Sequence, residues 1–271
     1  QAPPRPRPRL PQQAWSLLAR AQGALLPALL LLALEAVVRV GWVPAHLLPP
    51  PTEVLRTLAS LGPQGLGSHL QASGLRVLAG FVIGAGMATL IGAWVGLSPR
   101  ARALVDPSVQ ALRAIPSLAW VPLLLLWLGI DEAPKITLIA IGAFFPVYMG
   151  VASGIRDVDR KLVEVGEMAG LGRLDMARRV LLPAAMPAVM TGLRNGLSLA
   201  WMFMVAAELI AATQGLGYML TDGRETGRAD LVLAAILLLA LLGKVSDSAM
   251  ARLERRALHW RDTFDSPGSR P

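Results

Sequence analysis

Two stretches of this chain carry no charge at all: Val77 to Leu97, 21 residues, and Ile136 to Ile155, 20 residues. A bilayer core of about 30 Å needs about 20 apolar residues as helix, because inside it every backbone N–H and C=O must be satisfied within the segment. A long buried helix of a soluble protein is the other structure that such a run can form, and the rest of the sequence weighs against it. Hydrophobic residues make up 54% of the 271 and charged residues only 16%, against the roughly 25% charged of a soluble domain. The pattern predicts an all-α polytopic membrane protein with six spans: Ala24–Trp42, Leu75–Leu97, Ser117–Ile130, Ile136–Ile155, Val189–Ala212 and Leu231–Val245. Gly80-x-x-x-Gly84 and Gly92-x-x-x-Gly96 in the second span are the spacing that lets helix backbones approach closely.

Charge placement sets the expected orientation. Nineteen Lys and Arg fall in the two tails, the Arg156–Pro187 loop, and the second loop with Arg100, Arg102 and Arg113; only Arg56, Lys135, Arg224 and Arg228 fall in the opposite loops. By the positive-inside rule both termini and the long loop are cytoplasmic. That placement accounts for the net charge of +8 without a nucleic-acid partner. Residues 1–20 read as a cytoplasmic Pro/Arg-rich tail rather than a cleavable signal, 21–250 as the membrane domain with its cytoplasmic loop 156–187, and 251–271 as a cytoplasmic tail.

The loop itself has periodicity. Val158, Leu162, Val165 and Ala169 share one helical face. Gly170-Leu171-Gly172 interrupts the pattern, a second helical pattern follows with Leu174, Ala177 and Leu181, and Pro183 and Pro187 close the region. Helix, glycine turn, helix and re-entry make a knob suited to a groove on a soluble partner; an inert connector has little use for such a pattern.

Several chemistries are excluded. With no cysteine, disulfides, thiolate nucleophiles and zinc-thiolate sites are impossible. The three histidines, His46, His69 and His259, form no metal-spaced cluster, so neither a catalytic nor a metal site is expected. No G-x-x-x-x-G-K-[ST] occurs, so the chain does not cradle ATP phosphates as a P-loop does. Charges inside spans cost about 2.5–3.5 kcal/mol each and are functional candidates. Arg194, Trp201 and Glu208 are candidates for a pathway or gate, with Glu208 expected to pair with an arginine or backbone amides. Arg194 lies 14 residues before Glu208, about 21 Å along a helix, so the two do not pair directly. Glu35 and Arg39 stand at i, i+4 and are expected to pair. A membrane-embedded enzyme would need a base for a nucleophile such as Ser198, and no span contains a histidine. A passive pore would not need the loop.

The loop resembles the EAA motif of ABC importer permeases: E-A-A, three residues, G, nine residues, I-x-L-P. Here Glu164-Val165-Gly166, Gly170 and Val180-Leu181-Leu182-Pro183 stand at those positions with the same spacing. The departures, Val165 and Gly166 for alanine and Val180 for isoleucine, are conservative. The resemblance covers about Gly41 to Phe264. Leu47–Val54, Trp127–Lys135 (W-L-G-I-D-E-A-P-K), Ala206–Leu209 (A-A-E-L), Gly215–Tyr218 (G-L-G-Y) and Leu253–Arg256 resemble the sulfonate, taurine and nitrate branch, most of all its aliphatic-sulfonate permeases.

The resemblance implies a type I ABC importer transmembrane domain in a bacterial inner membrane. It implies a second copy of the chain, a cytoplasmic ATPase dimer that binds ATP and Mg, and a periplasmic or lipid-anchored substrate-binding protein, with no cofactor on this chain. It assigns ATPase coupling to Glu164, Gly166, Ala169, Gly170, Leu171, Gly172, Arg173, Leu182 and Pro183, and a Gly170→Asp change is expected to uncouple transport by filling the turn. Taurine, nitrate or bicarbonate, and pyrimidine or thiamine precursors are the alternative substrates.

Overall fold

The computed structural model describes residues 12–260, with the side chains of 12–24 and 211 left aside, and every regular element within that range is helical. The outer parts of both expected tails, 1–11 and 261–271, lie outside the described residues. Helix α1 (Gln12–Arg39) carries the first expected span. It ends at the Glu35–Arg39 ion pair, 2.7 Å, and Glu35 also accepts from the Thr52 hydroxyl at 2.8 Å, tying α1 to α2 (Pro51–Ser60). Ten residues are too few to span. With Pro51 at its first position, α2 packs along the bundle, and Thr57 donates to Asp230 at 2.6 Å.

The core is three helices: α3 (Gly62–Leu97), α6 (Glu132–Arg156) and α9 (Leu182–Ala211). Glycine decides how they meet. A Cβ at Gly80 would strike Ile139, one at Gly92 would strike Val151 and one at Gly96 would strike Ile155. Both numbers rise together, so α3 and α6 run parallel. Gly150 and Gly192 touch backbone to backbone, while Gly154 meets Ala185 and Ala188 and Gly196 meets Val147. There one number falls as the other rises, so α9 runs antiparallel to α6. The spacing read from the sequence therefore does bring backbones together. Tyr148, Ile139, Val147 and Met204 fill the centre and are fully buried.

Parallel α3 and α6 oblige the chain to return across the bundle between them. It does so in two pieces, and the third expected span needs correcting accordingly. Helix α4 (Pro99–Ala114) starts at Ser98, whose Oγ accepts from the Ala101 N–H at 3.3 Å. Ile115 is then extended (ψ 124°), as the residue before a proline must be. A 3-10 turn (Ser117–Trp120) leads into α5 (Val121–Leu128), bent by 89° from α4. The apolar run at 117–130 is thus the second half of a broken span and not a span of its own. Among the described residues four helices are long and apolar enough to cross a membrane, or five with this bent pair; the first expected span, in α1, is not among them.

A second correction concerns the loop. After α7 (Arg160–Met168) and its turn, α8 (Arg173–Met176) runs without a break through a π turn (Ala177–Leu181) into α9. Pro183 does not close the region: it occupies the first turn of α9, and Pro187 lies inside that helix. A proline lacks an N–H and its ring displaces the carbonyl four residues back; the wider π turn accommodates this without ending the helix. After α9, α10 (Leu216–Glu225) and α11 (Ala229–Ala257) complete the fold.

Candidate functional site

Three places in the bundle hold the site residues expected from the sequence or bear on them. The first is the α7–α8 loop at one end. Asp159 caps α7, accepting from the Lys161 N–H at 2.9 Å, and Glu164 pairs with Arg160 at 3.0 Å. The helix stops in a Schellman turn: Leu171 N–H donates to the Gly166 carbonyl at 3.1 Å and Gly170 N–H to the Glu167 carbonyl at 2.9 Å. Gly170 sits at φ +72°, and a Cβ there would meet nothing within 4 Å. Its constraint is therefore the left-handed backbone and not space, which overturns the expectation that a side chain would fill the turn. Aspartate is among the residues that tolerate this conformation; a β-branched residue is not.

Gly166 packs on Met176, whose Sδ lies 2.8 Å from where a Cβ would stand. The face that touches the bundle is thus Val163 and Gly166. Of the face picked out by periodicity, Val158 packs against the core while Leu162, Val165 and Ala169 point away from this chain, with Val165 64% and Met168 89% exposed. Arg173 and Leu174 extend this exposed surface and Leu171 is half-buried, while Leu182 and Pro183 lie beyond the π turn at the start of α9.

The second place is the opposite end of the bundle, where α3, α6 and α9 bring together residues far apart in sequence. Glu208 is 1% exposed. Its carboxylate accepts from Arg76 Nη1 at 2.7 Å, from Ser73 Oγ at 2.8 Å and from the Gly217 N–H at 2.8 Å. Arg76 also binds Glu132 bidentately, 2.6 and 2.7 Å, and donates to the Gln214 carbonyl at 2.6 Å. Lys135 reaches Glu132 at 3.0 Å. Ser73 accepts from the Leu216 N–H at 2.8 Å, and His69 Nδ1 accepts from the Gly215 N–H at 3.0 Å. At Gly215, φ +132°, a Cβ would stand inside the Glu208 carboxylate. Two cations and two carboxylates balance, and the network holds the Ala212–Gly215 turn onto the bundle. Glu208 thus pairs with an arginine and a backbone amide. The motif segments at 127–135, 206–209 and 215–218 prove to be neighbours.

The third place is mid-bundle. Arg194 and Trp201 do not join Glu208. Arg194 binds Asp247 of α11 at 2.6 and 3.0 Å, and Trp201 Nε1 donates to Ser246 Oγ at 2.9 Å. Both clamp α9 to α11. On the other side of α9 a groove of about 780 Å³ opens against α6 and the α4 break; its walls include Arg113, Ser117, Phe145, Asn195, Leu199 and Met202. Arg113, assigned by sequence to a cytoplasmic loop, lines this groove together with Gly142–Ser153 of α6. That stretch runs from the middle of α6 to three residues short of its end at Arg156. Sequence reasoning missed it because Ala-Leu-Arg-Ala-Ile-Pro reads as a loop; the signal available was Ile115-Pro116, a helix break that need not lie at a membrane surface. No group of three or more His, Cys, Asp or Glu suited to a metal occurs among the described residues.

Comparison with known proteins joins these features to a family. Residues 80–259 match the family model described as the binding-protein-dependent transport system inner membrane component. The chain is 42% identical over 245 residues to the putative aliphatic sulfonates transport permease protein of Bacillus subtilis (strain 168), covering 90% of this chain and 89% of that one. It is 41% identical to the protein of the same description in Escherichia coli (strain K12), covering 83% and 86%. To the taurine transport system permease protein of Escherichia coli (strain K12) it is 37% identical, covering 84% and 87%. In fold it is similar to the methionine ABC transporter MetNI in an inward-facing conformation, with a TM-score of 0.57 at 22% identity over 72% of this chain and 94% of that chain.

Proposed function

Because the chain belongs to the family of binding-protein-dependent transport system inner membrane components, we propose that this ABC permease subunit imports aliphatic sulfonates across the bacterial inner membrane. Two copies form the pathway, a binding protein delivers the anion on the outer side, and a separate ATPase dimer carries ATP and Mg. Both termini and the α7–α8 loop are cytoplasmic. The observation that carries the coupling half of this reading is the exposed apolar face of α7. Val165 and Met168 stand in solvent on a helix fixed at both ends by a cap and a Schellman turn, and burying such residues contributes about 1.5–3 kcal/mol each. A rigid apolar knob with nothing of its own chain over it suits a cleft on the ATPase. Glu164, Gly166, Ala169, Gly170, Leu171, Gly172, Arg173, Leu182 and Pro183 are the coupling residues of this reading. The substrate half rests on the aliphatic sulfonates permease relatives; the taurine permease relative favours taurine, itself an amino-sulfonate, as the second reading.

Sulfur-limited bacteria lacking this chain, then supplied with it beside its intact ATPase and binding protein, test both halves. Uptake of a labelled short alkanesulfonate should return with the wild type and fail with Gly170→Val at equal expression. No sulfonate or taurine uptake with the wild type would discard the substrate, and normal uptake with Gly170→Val would discard the coupling role.

A further inference from the structure

We infer that Arg113, with Ser117 and Asn195, forms an anion subsite within the membrane-spanning groove, where the oxyanion head of a small organic anion pauses on its way through. The inference rests on the anion-importer reading and adds a binding site in the membrane chain itself. Three observations carry it. The first is depth: Gln110, one turn before Arg113 on α4, contacts Met149 of α6 at 3.4 Å, seven residues or about 10 Å from the Arg156 end, and Arg113 lines the groove with Gly142–Ser153 of that helix. An arginine at such depth is costly to insert and calls for a compensating charge.

The second is that no carboxylate compensates it. The other span arginines have partners: Arg76 has Glu208 and Glu132, and Arg194 has Asp247. Among the described residues Arg113 has neither an ion pair nor a side-chain hydrogen bond, and it is exposed to the groove. The C-terminus of α4, one residue on, offers about half a negative charge, which leaves much of the guanidinium charge for a ligand.

The third is the company it keeps. Ser153 and Thr191 in the same groove spend their hydroxyl protons on the Met149 and Pro187 carbonyls, but Ser117 and Asn195 make no side-chain hydrogen bond among the described residues. A planar guanidinium with a hydroxyl and an amide in the same groove suits a head group of several oxygens, two of them taken by the guanidinium fork. Phe145, Leu199 and Met202 supply an apolar wall for a short alkyl tail. A lone cation with neutral helpers binds weakly, as a pathway site must if its occupant is to leave.

The chain has no cysteine, so a single reporter thiol tests the site whether or not transport occurs. In the full complex with its ATPase, Leu199→Cys should react faster with an anionic sulfonatoethyl methanethiosulfonate than with the cationic trimethylammonioethyl analogue. Adding Arg113→Gln should lower that ratio by about fivefold. In proteoliposomes with ATPase and loaded binding protein, Arg113→Gln should lower the maximal uptake of labelled ethanesulfonate about tenfold, with stimulated ATP hydrolysis within about twofold of wild type, and Arg113→Lys should fall between. An unchanged reagent ratio, unchanged uptake, or equal loss of uptake and ATP hydrolysis in Arg113→Gln overturns the inference. If the wild type transports no sulfonate, taurine or nitrate, the anion-importer reading fails, and the reagent ratio still decides whether the groove attracts anions.

Discussion

Replacing Arg76 by leucine removes the one cation bonded to Glu208. Breaking a buried ion pair from one side costs about 3–5 kcal/mol, because the remaining charge is left in a poor solvent. Glu208 would keep the Ser73 hydroxyl and the Gly217 N–H, both at 2.8 Å, which places the cost near the lower figure. Glu132 is half-exposed and keeps Lys135 at 3.0 Å, so it adds little. A loss of about 3 kcal/mol, at about 2–4 °C per kcal/mol for a chain of this size, lowers Tm by about 6–12 °C. Glu208→Gln leaves Arg76 with its bidentate Glu132 and an amide that still accepts, so about 1 kcal/mol, or 2–4 °C, is expected. Combining the two leaves no buried charge uncompensated, and the double variant should be about 1–2 kcal/mol more stable than Arg76→Leu alone. Thermal unfolding of the detergent-solubilised protein reads all three. Arg76→Leu within 2 °C of wild type, or Glu208→Gln as damaging as Arg76→Leu, would refute the account of the network as charge-balanced.

Gly215→Ala puts a Cβ against the Glu208 carboxylate at a backbone angle that L-residues rarely adopt; its Tm should fall by at least as much as that of Glu208→Gln, measured in the same unfolding assay. Met168→Asp alters a side chain 89% exposed, so Tm should hold within about 2 °C while the ATPase no longer co-purifies with the chain. At Gly170, φ +72°, asparagine should preserve sulfonate uptake within about twofold and valine should abolish it, since only the former suits a left-handed backbone.

The charge-free runs declare α3 and α6 because no other structure satisfies twenty apolar residues so economically. The start of α3 was less legible: residues 62–74 mix glycine with polar side chains, and only packing at the end of the bundle makes them helical. The α4 break was misread because local pattern cannot tell a surface loop from a kink at depth. Ile115-Pro116 announces a bend, and the depth follows only once α3 and α6 are known to run parallel. Pro183 reads as a terminator, yet the π turn over Ala177–Leu181 carries the helix past it without ending. For Glu208 the type of partner was legible from the cost of a buried carboxylate. Its identity, Arg76 from 132 residues earlier, was not, since no periodicity links them. The α7 face shows the limit from the other direction: periodicity found an apolar stripe, and beyond Val158 its side chains are exposed on this chain.

In the proposed reading, the α7–α8 loop couples ATP hydrolysis on a partner to anion import through this chain. Accumulation of labelled ethanesulfonate in proteoliposomes holding this chain, its ATPase and loaded binding protein tests it most directly. The account predicts accumulation against a gradient that requires ATP and disappears with Met168→Asp. Uptake that merely equilibrates without ATP, or that proceeds unchanged with Met168→Asp, would contradict it.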